Sequence, residues 1–405
     1  MLSLSPDINF HFQLLRLLAS VRTSAADVGE VLNICERVKP GDYESWYQAF
    51  DNMAQWVKST IEPEEGLDKI SLREAYFRIS RYAYGSGFYL TGTGAGPKNE
   101  ERIIKVWKDW TLYFRKATSL MDIPPEHHTI QTDGFTIPVM LFRASLDDTP
   151  RPCVILGSGL DGSMEEMFHF HGPAALDRGY HVIIYEGPGQ TGFRRAQNLG
   201  FIHDWERVVT PVVDWLQPLS FIDSSRVTLF GLSLGGYLAG RAACFEHRLA
   251  ALILIDGIFD VSQTATALYG PDVMQYDHPD TIDQFHEAIS LKGRSSTSIE
   301  WISGHFRWAF KTDTVYDALQ KLKLMSLAGG LLNNVTCPVF VGDAEHDLYV
   351  AASQPPLVAE ALGKKATYKQ FTKAESAEAH CHVGATAFAN QVIYKWLAEQ
   401  LALPN

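Results

Sequence analysis

Arg226-Val-Thr-Leu-Phe-Gly231-Leu232-Ser233-Leu234-Gly235-Gly236-Tyr237 decides the reading of this chain. Val227 to Phe230 form a short apolar strand. Gly231-Leu-Ser-Leu-Gly235 is a Gly-x-Ser-x-Gly turn, and Leu238-Ala-Gly-Arg-Ala-Ala-Cys244 continues as a small-residue helix. A serine at a sharp strand-to-helix turn is held in a strained backbone conformation with its hydroxyl exposed. Gly231 and Gly235 let backbone and helix cross close beside it. The helix N-terminus behind it favours negative charge developing on a bound carbonyl oxygen. The flanking strand and helix are the context this motif needs, so Ser233 is the candidate nucleophile. The rival reading is a glycine-rich turn with an incidental serine.

Outward from this turn, strands alternate with helical segments. Cys153-Val-Ile-Leu156 and His181-Val-Ile-Ile-Tyr185 read as buried strands, followed by helix from Trp205 to Leu216. Ala251-Leu-Ile-Leu-Ile255, Pro338-Val-Phe-Val341 and Ala366-Thr-Tyr-Lys-Gln-Phe371 are further strands, and Val383 to Leu401 is a closing helix. Upstream, Asp133-Gly134 between Thr129-Ile-Gln-Thr and Thr136-Ile-Pro-Val-Met-Leu-Phe142 predicts a hairpin. This alternation predicts an α/β fold with a doubly wound, mainly parallel sheet over residues 126–405.

Residues 1–125 read as a separate helical domain. Its expected helices run from Phe10 to Val21, from Asp42 with Ala49, Met53 and Trp56 on one face, from Ser71 to Tyr84 behind a Ser71/Glu74 capping box, and from Asn99 to Ala117. The roughly 80 residues between the strands at Ile255 and Pro338 contain helical stretches at Thr281 to Leu291 and Val315 to Leu324, an insertion expected to act as a helical lid over about 261–332.

Composition narrows the classes. At 405 residues the chain is long enough for two or three structural units, and 46% apolar with 20% charged residues excludes a disordered chain. A net charge of −12 argues against nucleic-acid or anionic-membrane binding. The N-terminal stretch lacks a basic, then apolar, leader pattern, and no apolar run is long enough to span a bilayer. Cys35, Cys153, Cys244, Cys337 and Cys381 are odd in number and scattered, which disfavours a disulfide framework or zinc site and leaves a reducing, cytoplasmic setting as the expectation.

A hydroxyl needs a base, and an imidazole base needs a carboxylate that fixes its tautomer. In a doubly wound hydrolase the acid, then the histidine, follow the serine on loops at strand carboxyl ends. The strand at Pro338 runs into Gly342-Asp343-Ala-Glu345-His346-Asp347. Asp347, deeper in the loop, is the favoured acid, with Asp343 the alternative. The strand ending at Phe371 runs into a loop carrying His380-Cys381-His382. His380 is the favoured base, with His382 the alternative; His169, His171, His203 and His346 read as surface or structural. For the oxyanion hole, the backbone N–H of Leu234 is one donor. The second comes from Gly157-Ser-Gly-Leu-Asp-Gly162, with Leu160 preferred and Gly159 or Asp161 as alternatives. Glu165-Glu166 start a helix, and Gly187-Pro-Gly-Gln190 reads as a structural tight loop.

With these residues placed, the chain resembles the α/β-hydrolase superfamily. It is most similar to the branch with 2,6-dihydroxypseudooxynicotine hydrolase, the FrsA-like esterases and fungal yellowish-green pigment polyketide hydrolases. The likeness covers nearly the whole chain. It rests on Gly41-Asp-Tyr-Glu-Ser-Trp-Tyr47, Ser71-Leu-Arg-Glu-Ala-Tyr-Phe-Arg78, Gly159-Leu-Asp-Gly-Ser-Met-Glu-Glu166, Glu186-Gly-Pro-Gly-Gln190, Gly231-Leu-Ser-Leu-Gly-Gly236, Ala344-Glu-His-Asp347 and Ala379-His-Cys381. The last two support Asp347 and His380 independently of the loop argument. The chain departs from the family at Ser158, where a plainer Gly-Gly is common, and at His382, where Gln is frequent. The resemblance implies an N-terminal cap over the hydrolase core with the active site between them, a homodimer, and no metal or organic cofactor. It also implies fungal secondary metabolism and cleavage of an ester, lactone or C–C bond beside a ketone. The aromatic residues Trp46, Tyr76, Tyr82, Tyr84, Trp107, Trp110, Trp301 and Phe306 point to a bulky, partly apolar small-molecule substrate, although helix–helix core is the plainer reading for most. Two rival functions are a non-hydrolytic acyltransferase or cyclase/dehydratase using the same pocket, and a binding protein without turnover.

Overall fold

The computed structural model describes residues 2–92 and 101–402. They form two compact units, Pro125–Met274 with Ala309–Asn405, and Met1–Pro124 with Gln275–Trp308.

The first unit is built on an eight-stranded sheet among the described residues. Its strands are β1 (Glu126–Gln131), β2 (Thr136–Phe142), β3 (Arg151–Gly157), β4 (His181–Tyr185), β5 (Ile222–Leu232), β6 (Ala251–Ile255), β7 (Val339–Ala344) and β8 (Ala366–Phe371). Their order is β1-β2-β4-β3-β5-β6-β7-β8. β1 and β2 form the expected antiparallel hairpin, with Gly134 at φ +92° in its turn. From β4 onward the pairs are parallel. β4 and β6 are buried at every position, as central parallel strands covered on both faces must be. The outer strands β1 and β8 are largely exposed and carry His, Gln, Thr and Lys.

The chain leaves β3 for β4 on one side and returns to β5 on the other, so strand order reverses at β3 and β5. Ligands of open parallel sheets bind at the carboxyl ends beside such a reversal. Gly157 is paired with Gly231, Leu232 with Ile255, Ile255 with Gly342, and Ala344 with Phe371. The loops after β3, β5, β6, β7 and β8 therefore leave the sheet at one edge, side by side.

The other unit is helical. Helices Ile8–Leu18, Val28–Arg37, Tyr43–Thr60, Lys69–Ser86 and Glu101–Ser119 account for its N-terminal part. The helix expected from Asp42 is Tyr43–Thr60, with Asp42 as its cap, accepting from the amides of Glu44 and Ser45. The Ser71/Glu74 capping box is not the start of its helix. Asp68 caps it two residues before Ile70, accepting from the amides of Ile70 and Ser71 and from the Ser71 hydroxyl, so Ser71 lies in the first turn. Trp56 does not share the buried face of Ala49 and Met53; it is 54% exposed and borders a groove with Asn33, Arg37 and Asn52. The expected start of the last helix at Asn99 lies outside the described residues. Residues 275–308, which fall within the interval 261–332, cluster with this unit. There Trp301 stacks on Phe88 at 4.8 Å and Trp46 on Phe50 at 4.6 Å, and Trp110 meets Tyr84 edge-on at 5.3 Å. The aromatic density is thus largely used in packing rings on one another. Among the described residues no helix is long and apolar enough to cross a membrane, and all five cysteines are unpaired with each other.

Candidate active site

Ser233 follows β5 at φ 61°, ψ −127°, a conformation that L-residues avoid. Its N–H donates to the Ile255 carbonyl at 2.9 Å, and its own carbonyl accepts from Gly236 N–H at 2.7 Å, which fixes the turn to β6 and to helix Leu234–Ala243. The flanking glycines are required by contact. A Cβ on Gly231 would lie 2.0 Å from the Gly235 carbonyl oxygen, and one on Gly235 would lie 2.6 Å from that of Ser158.

His380 stands at the start of a tight turn, His380–His382, beyond β8. Its Nε2 lies 2.9 Å from Ser233 Oγ and its Nδ1 2.6 Å from Asp347 Oδ2. An ionised carboxylate only accepts, so Nδ1 carries the proton and Nε2 is left to accept from the serine hydroxyl. Asp347 Oδ1 accepts from the amides of Tyr349 and Val350 at 2.7 and 2.8 Å. Burial pushes the Asp347 pKa up, but the charge of His380 and these hydrogen bonds outweigh it and hold the group below its ordinary value. Burial likewise opposes charge on His380, but Asp347, Cys381 and the contacts its Nδ1–H makes with carboxylates prevail and raise it well above 6.5.

The structure thus brings Ser233, His380 and Asp347 together, and leaves the alternatives outside. Asp343 accepts from the Tyr368 hydroxyl and from Gln370 Nε2, bracing β7 against β8. His382 is buried with its ring 3.9 Å from that of Phe371 and its Nδ1 near the Ala377 carbonyl; burial pushes it down to about 3. His171 is buried against Asn390, and His203 and His346 are exposed.

The loop after β3 passes directly beside the serine. A Cβ on Gly159 would lie 3.0 Å from the Leu234 nitrogen and 3.1 Å from Ser233 Cβ. This close approach puts Leu160 next in line after the residue that touches the elbow. Gln190, read from sequence as part of a structural tight loop, holds this segment. Fully buried, it donates from Nε2 to the Ser158 carbonyl at 2.6 Å and accepts at Oε1 from Gly187 N–H at 2.8 Å. Ser158 Oγ donates to the Gly162 carbonyl, and Thr191 Oγ1 to that of Asp161, both at 2.9 Å. Glu186, at the head of the same loop, is buried and accepts from Phe193 N–H; burial and the nearby Glu165 push it up to about 8.

Sequence reasoning also passed over Asp256. It directly follows β6 at the same sheet edge, a placement like that of Asp343 on β7, whereas Asp347 lies deeper in its loop. Its carboxylate accepts from Cys381 N–H and lies 3.1 Å from His380 Nδ1. Asp256, His380 and Cys381 place three ligand-type atoms within 4.8 Å of one another. In this group His380 Nδ1 is already engaged by the Asp347 and Asp256 carboxylates, and burial pushes the Cys381 thiol up to about 12.

Comparison with known proteins gives a concordant result. Residues 154–384 match the alpha/beta hydrolase family. The chain is 31% identical to Hydrolase ORFZ of Pyricularia oryzae and 30% identical to 20-hydroxy-prefusarin hydrolase FUS2 of Gibberella moniliformis, over 97% of each chain in both cases. The structure of 2,6-dihydroxy-pseudo-oxynicotine hydrolase superimposes over 95% of both chains with a TM-score of 0.72 at 22% identity, a likeness of fold.

Proposed function

The chain belongs to the alpha/beta hydrolase family, and on that premise we propose that it is a serine hydrolase acting through Ser233, His380 and Asp347. The observation that carries this is the unbroken hydrogen-bond line from Ser233 Oγ through His380 to Asp347, at 2.9 and 2.6 Å. Ser233 Oγ attacks a carbonyl carbon while His380 Nε2 takes its proton. Asp347 holds the ring and offsets the charge that forms on it. The amides of Leu234 and Leu160 receive the oxyanion. Collapse expels an alcohol from an ester or lactone, or an enolate from a β-diketone, with His380 returning the proton. Water activated by His380 then frees Ser233 from the acyl group. The substrate is a bulky, partly apolar small molecule, ester, lactone or ketone; the relative named for 20-hydroxy-prefusarin supports a small organic substrate.

The test is covalent labelling of the folded protein with a fluorophosphonate, followed by peptide mass spectrometry. Modification of Ser233, lost in Ser233→Ala, is expected; a folded protein that stays unlabelled there refutes the reading. Product analysis in 18O-labelled water then separates hydrolysis, which places label in the released acid, from transfer or cyclisation, which does not.

A further inference from the structure

We propose that Asp256 is a second acid for His380, a positioning residue whose carboxylate shares the ring Nδ1–H with Asp347 and keeps it on Nδ1 when Asp347 is neutralised; this rests on the serine-hydrolase reading above. Two carboxylate oxygens face one ring nitrogen, Asp347 Oδ2 in a hydrogen bond at 2.6 Å and Asp256 Oδ2 at ion-pair distance, 3.1 Å. They arrive from different strands, Asp347 from the loop after β7 and Asp256 from the end of β6, so one can fail without moving the other.

Asp256 is held as firmly as Asp347. It is 0% exposed, its N–H donates to the Gly342 carbonyl at 3.0 Å, and its backbone is left-handed at φ 51°. Cys381 N–H fixes the same oxygen that faces His380, while Oδ1 has no hydrogen-bond partner among the described residues. If Asp256 served only to accept from the Cys381 amide, a neutral Asn or Ser would suffice, without the cost of burying a charge. The cationic group beside it is His380. What the carboxylate supplies beyond an anchor is therefore negative charge at the imidazole. Burial and the neighbouring Asp347 push Asp256 up to about 6, against the opposing pull of His380 and the Cys381 amide. The other groups facing the ring are the Ser233 hydroxyl, the Cys381 thiol, which also favours charge on the imidazole, and the Tyr349 ring.

The experiment compares wild type, Asp256→Asn, Asp347→Asn and the double variant, each checked for folding by thermal melting. The readouts are the rate of fluorophosphonate labelling at Ser233 and turnover of p-nitrophenyl butyrate against pH. Asn at 256 still offers an acceptor to Cys381 N–H but no charge. Losing that charge moves the acid limb of Asp256→Asn to lower pH. The double variant is expected to fall at least ~10-fold below the product of the two single losses, because each carboxylate covers for the other. Losses that simply multiply, with an unmoved acid limb, overturn the proposal and leave Asp256 as an anchor for Cys381. Should the Asp256 variants not fold, Asp347→Asn alone decides: its acid limb stays above 6.5, the ordinary histidine value, if Asp256 serves the ring, and drops below it if not. Wild type that fails to label at Ser233 overturns the serine-hydrolase reading itself, a result distinct from either outcome.

Discussion

Replacing Gln190 with Leu tests whether the oxyanion loop depends on this one side chain. Leu roughly conserves volume, so packing is kept while the amide's hydrogen bonds go, the two shortest among them those to the Ser158 carbonyl and from the Gly187 N–H. Ser158 C=O and Gly187 N–H lose their partners at a site that is 0% exposed. A buried orphan costs about 1–3 kcal/mol, so the pair predicts a loss of about 2–6 kcal/mol in stability. The catalytic effect follows from peptide planarity. Holding the Ser158 carbonyl sets the direction of the Gly159 N–H and of the chain running into Leu160. Releasing it loosens the second oxyanion donor, and losing one donor costs about 10²–10³ in kcat. The expected outcome is a folded protein with a lowered Tm, kcat on p-nitrophenyl butyrate down about 100-fold, and KM little changed, because the hole engages the transition state more than the ground state. A folded Gln190→Leu enzyme with kcat within about threefold of wild type would refute the argument, since the loop would then hold its shape without that anchor.

Other expectations follow from the same geometry. Ser233→Ala abolishes fluorophosphonate labelling and lowers ester turnover by at least about 10³, measured on protein of unchanged circular dichroism. His380 must be neutral to accept the serine proton, and its pKa is raised well above 6.5, so kcat/KM falls with decreasing pH along a limb centred above that value; a limb below 6.5 contradicts the carboxylate contacts. Gly231→Ala puts a methyl group 2.0 Å from the Gly235 oxygen and is expected to prevent folding or cost more than about 4 kcal/mol by denaturant titration. Glu186 holds its proton up to about pH 8 when folded but only to its ordinary 4.5 when unfolded. The folded state then binds the extra proton, and stability drops as pH rises through this window. Glu186→Gln should flatten that slope in melting curves taken from pH 5 to 9.

The strands and the Ser-Asp-His line were legible because they depend on local pattern. Buried parallel strands are uninterrupted apolar runs such as Ala251–Ile255, and a nucleophile turn needs Gly231 and Gly235 at fixed spacing. Asp347 and His380 were legible because each follows a strand in a known order. Gln190 and Asp256 were not, since their partners, Ser158 and His380, lie 32 and 124 residues away and nothing local distinguishes them from turn residues. Asp68 displaced the Ser71/Glu74 box because a carboxylate that accepts from two amides and a hydroxyl satisfies more of the helix end than the hydroxyl could. Trp56 keeps helical spacing with Ala49 and Met53 yet is 54% exposed, because spacing gives the face of a helix but not how far along it a packing partner extends.

Ser233, Asp256, Cys381 and His382 share one backbone feature: each is a non-glycine residue with φ between 51° and 61°. Such residues cost roughly 1–2 kcal/mol apiece, and four of them converge at the end of one sheet. A selection for heat resistance alone would find easy gains there, above all Cys381→Gly, which relieves the backbone but removes a thiol beside His380. Those gains slacken the turn that presents His380. In laboratory evolution this sheet edge is therefore where thermal survival and turnover part company, and variants gathered on melting temperature should be screened for activity first at these positions.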